Sequence, residues 1–241
     1  MGRKPFQFKH FTLTQENSAL GINTDSCIFG AMINLNKPKN VLDVGCGNGV
    51  IIRFLNQKWP NTHYTGIDNH SGSVTDAINN TKNLQNVLIL DRDLFTFNSE
   101  IKFDNIVSNP PFFFDDLKSH NQQKNQSKHW SKKHFSKYLN RLKEWILPKG
   151  SLWILLPYNH NTQPDLIINE GWHIIQEIVI QPRENKPAHL RIYELSLTDN
   201  SDNPIQSKFV VYDINNSFSE PIFNKLKDYY LDQALYVKNK T

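Results

Sequence analysis

The sequence predicts an α/β fold built around a mostly parallel β-sheet, and three observations support this. The length of 241 residues fits one large domain with a sizeable core. An apolar strand, a glycine-rich turn and a helix follow one another, as at the start of a nucleotide-binding βαβ unit. Polar side chains follow the ends of four successive predicted strands. Open α/β sheets bind their ligands at that edge.

Composition narrows the class of protein. The formal net charge of +4 is compatible with a polyanionic partner without requiring one. Cys27 and Cys46 form neither a disulfide framework nor a Cys–His metal pattern. His120, His129 and His134 have no carboxylate or thiol at suitable spacing, so we expect no metal site. The chain lacks an apolar signal core and a bilayer-length apolar run, which predicts a cytoplasmic enzyme with no membrane contact.

The first part of the chain predicts an arm followed by a helix. Residues 6–13 alternate aromatic and polar side chains, as in a short strand or an extended arm. A loop then leads into a helix over residues 27–34, which Thr24 or Asp25 could cap and Pro38 would close.

A glycine-rich turn follows the predicted strand at residues 40–44. Its glycines are Gly45, Gly47 and Gly49, and a helix begins directly after them. Glycines let the backbone approach a ligand closely, and a helix N-terminus offers free N–H groups. The spacing differs from the dinucleotide fingerprint, which disfavours a dehydrogenase.

Acidic residues follow the next two predicted strands. Asp68 ends the strand at residues 63–67, where a carboxylate can accept hydrogen bonds from ribose hydroxyls. Asp93 and Leu94 follow the strand at residues 87–90. They would suit an adenine ring, with the carboxylate accepting the amine and the leucine packing on the ring. The alternative for Asp93 is a solvated acid in a turn.

The fourth predicted strand, residues 103–108, ends in a motif suited to activating an amine. This motif is Asn109-Pro110-Pro111-Phe112. The Asn109 oxygen and the Pro110 carbonyl can accept both hydrogens of a conjugated amine, which exposes its nitrogen lone pair. The prolines fix φ and add no competing N–H, and Phe112 offers a stacking face. The alternative is a plain Pro-Pro turn with Asn as a turn former.

Basic residues are concentrated in two later segments. Residues 115–137 carry six lysines and predict a loop that either contacts phosphates or is simply solvated. Residues 181–191 form a basic connection that reaches the same edge as Asn109 if the strand before it is parallel to the others. A solvated hairpin tip is the alternative. The candidates for contact with nucleic acid are Lys128, Lys132, Lys133, Arg183, Lys186 and Arg191.

The rest of the chain completes an alternating pattern. Helices are predicted at residues 135–147 and 164–170 and in the aromatic-rich segment 215–235, which we interpret as core packing. Strands are predicted at 151–156, 172–181, 192–197 and 209–212.

Several of these motifs together are similar to a known family. The glycine turn with Asp43 before it, Asp68, Asp93 and the Asn-Pro-Pro-Phe motif resemble class I S-adenosylmethionine-dependent methyltransferases that act on amines. Residues 6–11, 21–26, 29–32 and 218–231 resemble the bacterial tRNA1(Val) (adenine-37-N6)-methyltransferases. The resemblance covers almost the whole chain, although the lysine-rich insert after Phe114 departs from it.

The resemblance implies a fold, a cofactor and a set of roles. The fold would be Rossmann-like, with a seven-stranded mostly parallel sheet, one antiparallel strand and helices on both faces, in a single domain over residues 1–241. Residues 1–36 would cover the cofactor site. S-adenosylmethionine would be held by Asp25, Asp43, Gly45, Gly47, Gly49, Asp68, Asp93, Leu94 and Asn109. Asn109, Pro110, Pro111 and Phe112 would hold the target base.

The implied activity is methylation of adenine N6 in tRNA by a monomeric enzyme without an obligate protein partner. Other amine substrates are guanine N2 of rRNA, adenine N6 of DNA and glutamine N5 of a protein. A catalytically silent RNA-binding module of the same fold is a further alternative, which the intact glycine turn and Asn109 disfavour.

Overall fold

The computed structural model describes residues 3–110, 132–158, 163–199 and 203–235. The strands in these ranges are β1 (Phe6–Gln7), β2 (Thr12–Leu13), β3 (Asn40–Val44), β4 (His63–Asp68), β5 (Val87–Asp91), β6 (Phe103–Ser108), β7 (Ile146–Pro157), β8 (His173–Gln181), β9 (Leu190–Ser196) and β10 (Ile205–Val210). The helices are α1 (Thr24–Met32), α2 (Val50–Lys58), α3 (Ser71–Thr81), α4 (Lys132–Lys143), α5 (Gln163–Asn169), α6 (Glu220–Leu226) and α7 (Asp232–Leu235).

Eight of the strands form one mixed sheet in the order β10-β8-β9-β7-β6-β3-β4-β5. Strands β3 to β7 are parallel, β9 is antiparallel to both β7 and β8, and β10 is parallel to β8. This confirms the predicted fold class with its single antiparallel strand. The described sheet has one strand more than the seven expected, because β10 begins at Ile205 and adds a complete edge strand to β8. Strands β1 and β2 pair separately as an antiparallel hairpin.

Two apolar layers cover the sheet. Helices α1, α2 and α6 pack on one face and helices α4 and α5 on the other. Successive side chains of a strand point to opposite faces of the sheet and so pack in different layers. Val41 faces the first layer and Leu42 the second. Strands buried on both faces carry near-continuous apolar runs, as the central strands do here. Within the described residues, no helix combines the length and the apolarity needed to cross a membrane.

The start of α1 corrects one prediction. Its N-cap is Asn23 instead of Thr24 or Asp25, and the Asn23 side chain accepts a hydrogen bond from the Ser26 amide at 2.8 Å. Asn23 has extended backbone angles, the usual conformation of a capping residue. Thr24 and Asp25 are therefore already inside the helix.

The far end of α1 is held by Lys58 of α2. The Lys58 ammonium donates hydrogen bonds to the Ala31 carbonyl at 2.7 Å and the Ile33 carbonyl at 2.8 Å. These carbonyls belong to the helix end, where intrahelical partners are missing. Burial lowers the pKa of Lys58 to about 8, and the positive charge of Lys225 adds to the effect.

Other boundaries differ from the predicted ones for identifiable reasons. Helix α3 was not predicted, because Ser and Asn dominate it and leave few apolar positions. Helix α4 begins at Lys132, so the last part of the predicted 115–137 loop is helical, and its apolar stripe includes Phe135. Strand β7 begins before the Pro-Lys-Gly stretch that was expected to end the preceding helix. Its pairing with β6 is irregular there.

Candidate active site

The glycine-rich turn lies between β3 and α2 with three left-handed residues. The φ angles are 73° at Gly45, 54° at Gly47 and 80° at Gly49, a region that residues with a side chain rarely adopt. The Gly45 amide donates to the Ile67 carbonyl at 2.9 Å. A Cβ atom placed on Gly45 or Gly47 would have no atom within 4 Å. The turn is therefore held against β4 and leaves open space above its backbone.

Asp68 at the end of β4 is fixed by two backbone amides. One carboxylate oxygen accepts from Gly47 at 2.9 Å and the other from His70 at 2.8 Å. The first bond ties the glycine turn to the neighbouring strand end. Asp68 and the turn thus form one unit, as the parallel direction of β3 and β4 predicts.

Asp43 lies beneath this unit and has an unusual environment. The side chain is fully buried, and neither carboxylate oxygen accepts a hydrogen bond from any described residue. Burial, reinforced by the negative charge of Asp68, raises the pKa of Asp43 well above its ordinary value. A buried acid without a partner is costly and is suited to a ligand that brings an N–H donor or a positive charge.

The cysteine in the turn is not poised as a nucleophile. Burial, with the nearby charges of Asp43 and Asp68, raises the pKa of the Cys46 thiol well above its ordinary value. Cys46 also packs in the core. Since the thiolate is the reactive form, the residue serves packing here.

Asp93 and Leu94 lie beside Asp68 at the same edge. Asn69 follows Asp68 directly, and its side-chain amide donates to the Asp93 carboxylate at 3.1 Å. The other Asp93 oxygen accepts from the Phe95 amide at 2.8 Å. Leu94 is partly buried and packs against the second apolar layer. The two acidic strand ends are therefore adjacent, as the order β3-β4-β5 requires.

Asn109 lies at the end of β6, next to β3 in the sheet. Its amide nitrogen donates to the Ser26 hydroxyl of α1 at 3.0 Å, and no described residue donates a hydrogen bond to its amide oxygen. The preceding residue is anchored on both sides. The Ser108 hydroxyl donates to the Val44 carbonyl at 2.7 Å and accepts from Tyr138 at 2.5 Å. The strand end that presents Asn109 is thus held by β3, α1 and α4.

The rest of the Asn-Pro-Pro-Phe motif is only partly described. Pro110 is buried beside Asn109. Pro111 and Phe112 lie outside the described residues, as do Lys128 and residues 115–131 of the predicted basic loop.

The N-terminal segment contacts the glycine turn through Asn80 of α3. The Asn80 side chain accepts from the Thr14 amide at 2.8 Å and donates to the Thr14 carbonyl at 2.8 Å. It also donates to the Asn48 carbonyl in the turn at 2.9 Å. Buried Asp76 accepts hydrogen bonds from the Asn17 amide at 2.9 Å and the Ser18 hydroxyl at 2.7 Å. No sequence signal marked these residues, because their contacts are far apart in the chain.

Asp25 faces the basic connection between β8 and β9. One Asp25 oxygen lies 3.5 Å from the His189 Nε2 atom. Because β8 is parallel to β3 and β6, residues 182–189 return to the edge that carries Asn109, as predicted. Helix α1 therefore contacts Asn109 through Ser26 and this connection through Asp25.

The remaining basic candidates occupy different environments. Lys132 and Lys133 are exposed in the first turn of α4. Lys186 is exposed in the connection after β8. Arg183 donates to the Asp213 carbonyl at 3.4 Å and its guanidinium lies 5.6 Å from the Tyr212 ring centroid.

The Arg191 side chain is buried and paired, whereas its place in the basic segment 181–191 predicted an exposed side chain that could contact phosphate. It is 7% exposed, and its Nε atom lies 2.8 Å from a Glu177 oxygen. It also donates to the Tyr193 hydroxyl at 2.7 Å and lies over the Tyr158 ring, 4.4 Å from the centroid. Cross-strand neighbours on β8 and β9 create this buried pair, so the structure removes Arg191 from the candidate phosphate contacts.

Comparison with known sequences gives matches over most of the chain. Residues 18–170 match the family model of the methyltransferase small domain. A protein of Pedobacter heparinus named tRNA1(Val) (adenine(37)-N6)-methyltransferase is 28% identical over 234 residues, covering 95% of this chain and 99% of the relative. A protein of the same name from Vibrio campbellii is 27% identical over 197 residues, covering 80% of this chain and 82% of the relative.

Solved structures share the fold at low sequence identity. A predicted O-methyltransferase from Agrobacterium tumefaciens superposes with a TM-score of 0.60 at 11% identity, covering 85% of this chain and 96% of the other. A ribosomal protein L11 methylase from Lactobacillus delbrueckii subsp. bulgaricus superposes with a TM-score of 0.55 at 16% identity, covering 76% of this chain and 83% of the other.

Proposed function

This chain belongs to the methyltransferase small domain family, and we propose that it methylates the exocyclic N6 of adenine in tRNA. The target that the named relatives favour is adenine-37 of tRNA1(Val). The observation that carries the amine chemistry is the Asn109 side chain. Its nitrogen is occupied by Ser26 at 3.0 Å, which leaves its oxygen as an acceptor beside the Pro110 carbonyl.

The cofactor we propose is S-adenosylmethionine, which supplies a methyl group on a sulfonium that departs as a neutral thioether. The open space above Gly45 and Gly47 fits a ligand that lies against the backbone. The unpartnered Asp43 carboxylate fits the positive charge at the methionine end. Asp68 would accept the ribose hydroxyls.

The adenine end of the cofactor would lie farther along the same edge. There, Asp93 would accept the exocyclic amine and Leu94 would pack on the ring. Both are one strand beyond Asp68 in the sheet order, which fits a ligand extended along the strand ends. Asp25 lies instead on α1 beside Ser26, which contacts Asn109, and its carboxylate lies 3.5 Å from His189.

The target amine would be activated by alignment of two acceptors. The Asn109 oxygen and the Pro110 carbonyl would accept hydrogen bonds from its two N–H groups, which directs the nitrogen lone pair toward the methyl group. As the bond from nitrogen to the methyl carbon forms, the nitrogen becomes positively charged and then releases one proton to water. Phe112 would stack on the base. Because the leaving group is neutral, the protein needs little acid assistance, and positioning accounts for most of the catalysis.

We propose one catalytic domain in which residues 1–36 cover the cofactor site. The hydrogen bonds from Asn80 to Thr14 and Asn48 support this, because they join the N-terminal segment to the glycine turn. A tRNA substrate implies action in the cytoplasm. We propose that the enzyme acts as a monomer without an obligate protein partner.

An RNA target suits the site for an energetic reason. A base in an anticodon loop is already unpaired, so its extrusion costs less than the few kcal/mol needed in a duplex. The candidate phosphate contacts remain Lys128, which lies outside the described residues, and Lys132, Lys133, Arg183 and Lys186. Guanine N2, DNA adenine and protein glutamine would use the same acceptors but are not favoured by the relatives' names.

A methylation assay tests the proposal. The purified chain is incubated with S-adenosylmethionine and unmodified tRNA1(Val), and the nucleosides are analysed by mass spectrometry. We expect N6-methyladenosine, and none when adenine-37 is replaced by guanine. Methylated guanine, or methylation confined to rRNA, DNA or protein, would refute the proposed substrate.

A further inference from the structure

An open groove of about 590 Å³ lies where β8 and β10 meet residues 182–189. Its lining includes Tyr158, Val179, Lys186 and Lys208. We propose that this groove binds the single-stranded RNA next to the target adenine. This inference rests on the proposed function. It adds the path that the RNA strand follows once its target base has entered the site.

The sheet order places the groove on the substrate side of the site. Asn109 follows β6. The glycine turn, Asp68 and Asp93 follow β3, β4 and β5, on one side of Asn109. Strands β7, β9, β8 and β10 lie on the other side. An RNA strand that runs from Asn109 toward the groove would therefore not cross the cofactor residues on β3, β4 and β5.

Contacts along the edge connect Asn109 to the groove. Ser26 accepts from Asn109 at 3.0 Å, and the adjacent Asp25 lies 3.5 Å from His189. The His189 carbonyl accepts from the Tyr158 amide at 2.9 Å, and Tyr158 lines the groove. A chain of contacts thus runs along the edge from the proposed base acceptor to the groove, past the ends of β7 and β9.

The charges of the groove favour a polyanion. Lys186 and Lys208 are exposed, and within the described residues neither ammonium lies at ion-pair distance from a carboxylate. Glu177 is engaged by Arg191 at 2.8 Å and by the Gln206 amide at 3.3 Å. The acid is therefore compensated, and two lysines remain free to meet phosphates.

The groove also has an aromatic side chain, and hydrogen bonds from a neighbouring side chain hold the connection that forms one of its sides. The guanidinium of Arg191 lies 4.4 Å from the Tyr158 ring centroid, which fixes that ring as a platform. The Gln181 side chain donates to the carbonyls of Arg183 at 2.7 Å and Glu184 at 2.8 Å. A cationic groove with an aromatic platform is the usual means of binding single-stranded nucleic acid.

Two lysine pairs with the same charge change test the proposal. Lys186→Ala/Lys208→Ala alters the groove. The control pair, Lys102→Ala/Lys149→Ala, alters exposed lysines near the amino ends of β6 and β7, at the edge of the sheet opposite Asn109. Binding is measured against full tRNA1(Val) and against its isolated anticodon stem-loop at several salt concentrations. S-adenosylmethionine affinity is measured by calorimetry.

We expect the groove pair to raise the Kd for both RNAs about 2- to 30-fold, equivalent to losing two exposed ion pairs. The salt slope should fall by about one to two, and cofactor affinity should not change. The inference is overturned if the groove pair binds like wild type. It is also overturned if the control pair loses as much, or if the loss occurs with full tRNA but not with the stem-loop.

A second pair of variants tests the aromatic platform. Tyr158→Ala should weaken stem-loop binding by about 5-fold or more, while Tyr158→Phe, which keeps the ring, should bind within about 2-fold of wild type. Equal loss in both would show that the ring does not stack on a base. If the wild-type enzyme methylates no tRNA at all, the proposed function fails instead of the groove.

Discussion

Replacing Ser26 by alanine should slow methyl transfer without weakening cofactor binding. The Ser26 hydroxyl accepts the hydrogen bond from the Asn109 amide nitrogen at 3.0 Å. It lies on α1, whereas Asn109 follows β6. Removing the hydroxyl leaves the backbone of Asn109 in place but frees its amide to rotate away from the proposed target amine.

The magnitude follows from one neutral hydrogen bond that is partly shielded from water. Ser26 is 9% exposed. A net loss of about 0.5–1.5 kcal/mol is typical for such a bond. If the lost energy appears in the transition state, the rate constant falls about 2- to 13-fold. The loss is far smaller than the one expected on removing Asn109 itself.

The assay is single-turnover methylation of tRNA1(Val) at saturating S-adenosylmethionine, with cofactor affinity measured separately by calorimetry. Asn23→Ala is the matched control. Asn23 caps the same helix by accepting from the Ser26 amide at 2.8 Å, and among the described contacts it makes none with Asn109. Removing this cap costs roughly 0.5–2 kcal/mol of stability but should leave the rate nearly unchanged.

Two results would refute this reasoning. An unchanged rate in Ser26→Ala would show that the amide needs no help from α1. An equal loss of rate in Asn23→Ala would show that the effect comes from a loosened helix.

The remaining predictions concern the cofactor, the amine, the RNA and stability. Asp68→Ala should raise the Kd for S-adenosylmethionine by at least about 10-fold in calorimetry, since bonds to charged acceptors contribute roughly 1.5–3 kcal/mol each; unchanged affinity would exclude Asp68 from the site. Asn109→Ala should abolish methyl transfer with nearly intact cofactor affinity, so normal turnover would mean that the amine is activated elsewhere. Lys132→Ala/Lys133→Ala should weaken tRNA binding and lower its salt slope by about one to two, with cofactor affinity as the internal control. Burial lowers the pKa of Lys58 to about 8 in the folded chain, so above that pH the unfolded chain holds more protons and the unfolding free energy rises with pH. Relative to Lys58→Met, wild type should gain about 1.5 kcal/mol between pH 8 and 9.5 in denaturant titrations, and a flat difference would contradict the lowered pKa.

The edge of the sheet that carries the candidate site was predictable from local sequence. Apolar runs located the central strands, and the end of each run identified the polar residue that follows the strand. Parallel pairing then brought Asp68, Asp93 and Asn109 to one edge. This worked because strand direction determines where the polar ends meet.

Long-range partners were not predictable in the same way. Arg191 appeared to be a free cation, yet it pairs with Glu177 on the neighbouring strand. Register between β8 and β9 decides this contact, and a single sequence does not specify the register of two strands joined by a loop of that length. Helix α3 has a weak apolar pattern, so neither the helix nor its residue Asn80 was predicted. Contacts with other parts of the fold stabilise this helix more than the helix propensity of its residues does.

Helix α1 shows how these long-range contacts affect the candidate site. Its first turn places Ser26 against Asn109 and Asp25 against His189, so one short helix contacts both the proposed base acceptor and the edge leading to the groove. The opposite end of α1 is fixed by Lys58. A rigid element that touches both places can couple the position of an RNA strand to the orientation of the amide that receives its base. Ser26 of the N-terminal signature and Asn109 of the Asn-Pro-Pro-Phe motif therefore meet at one place in the fold.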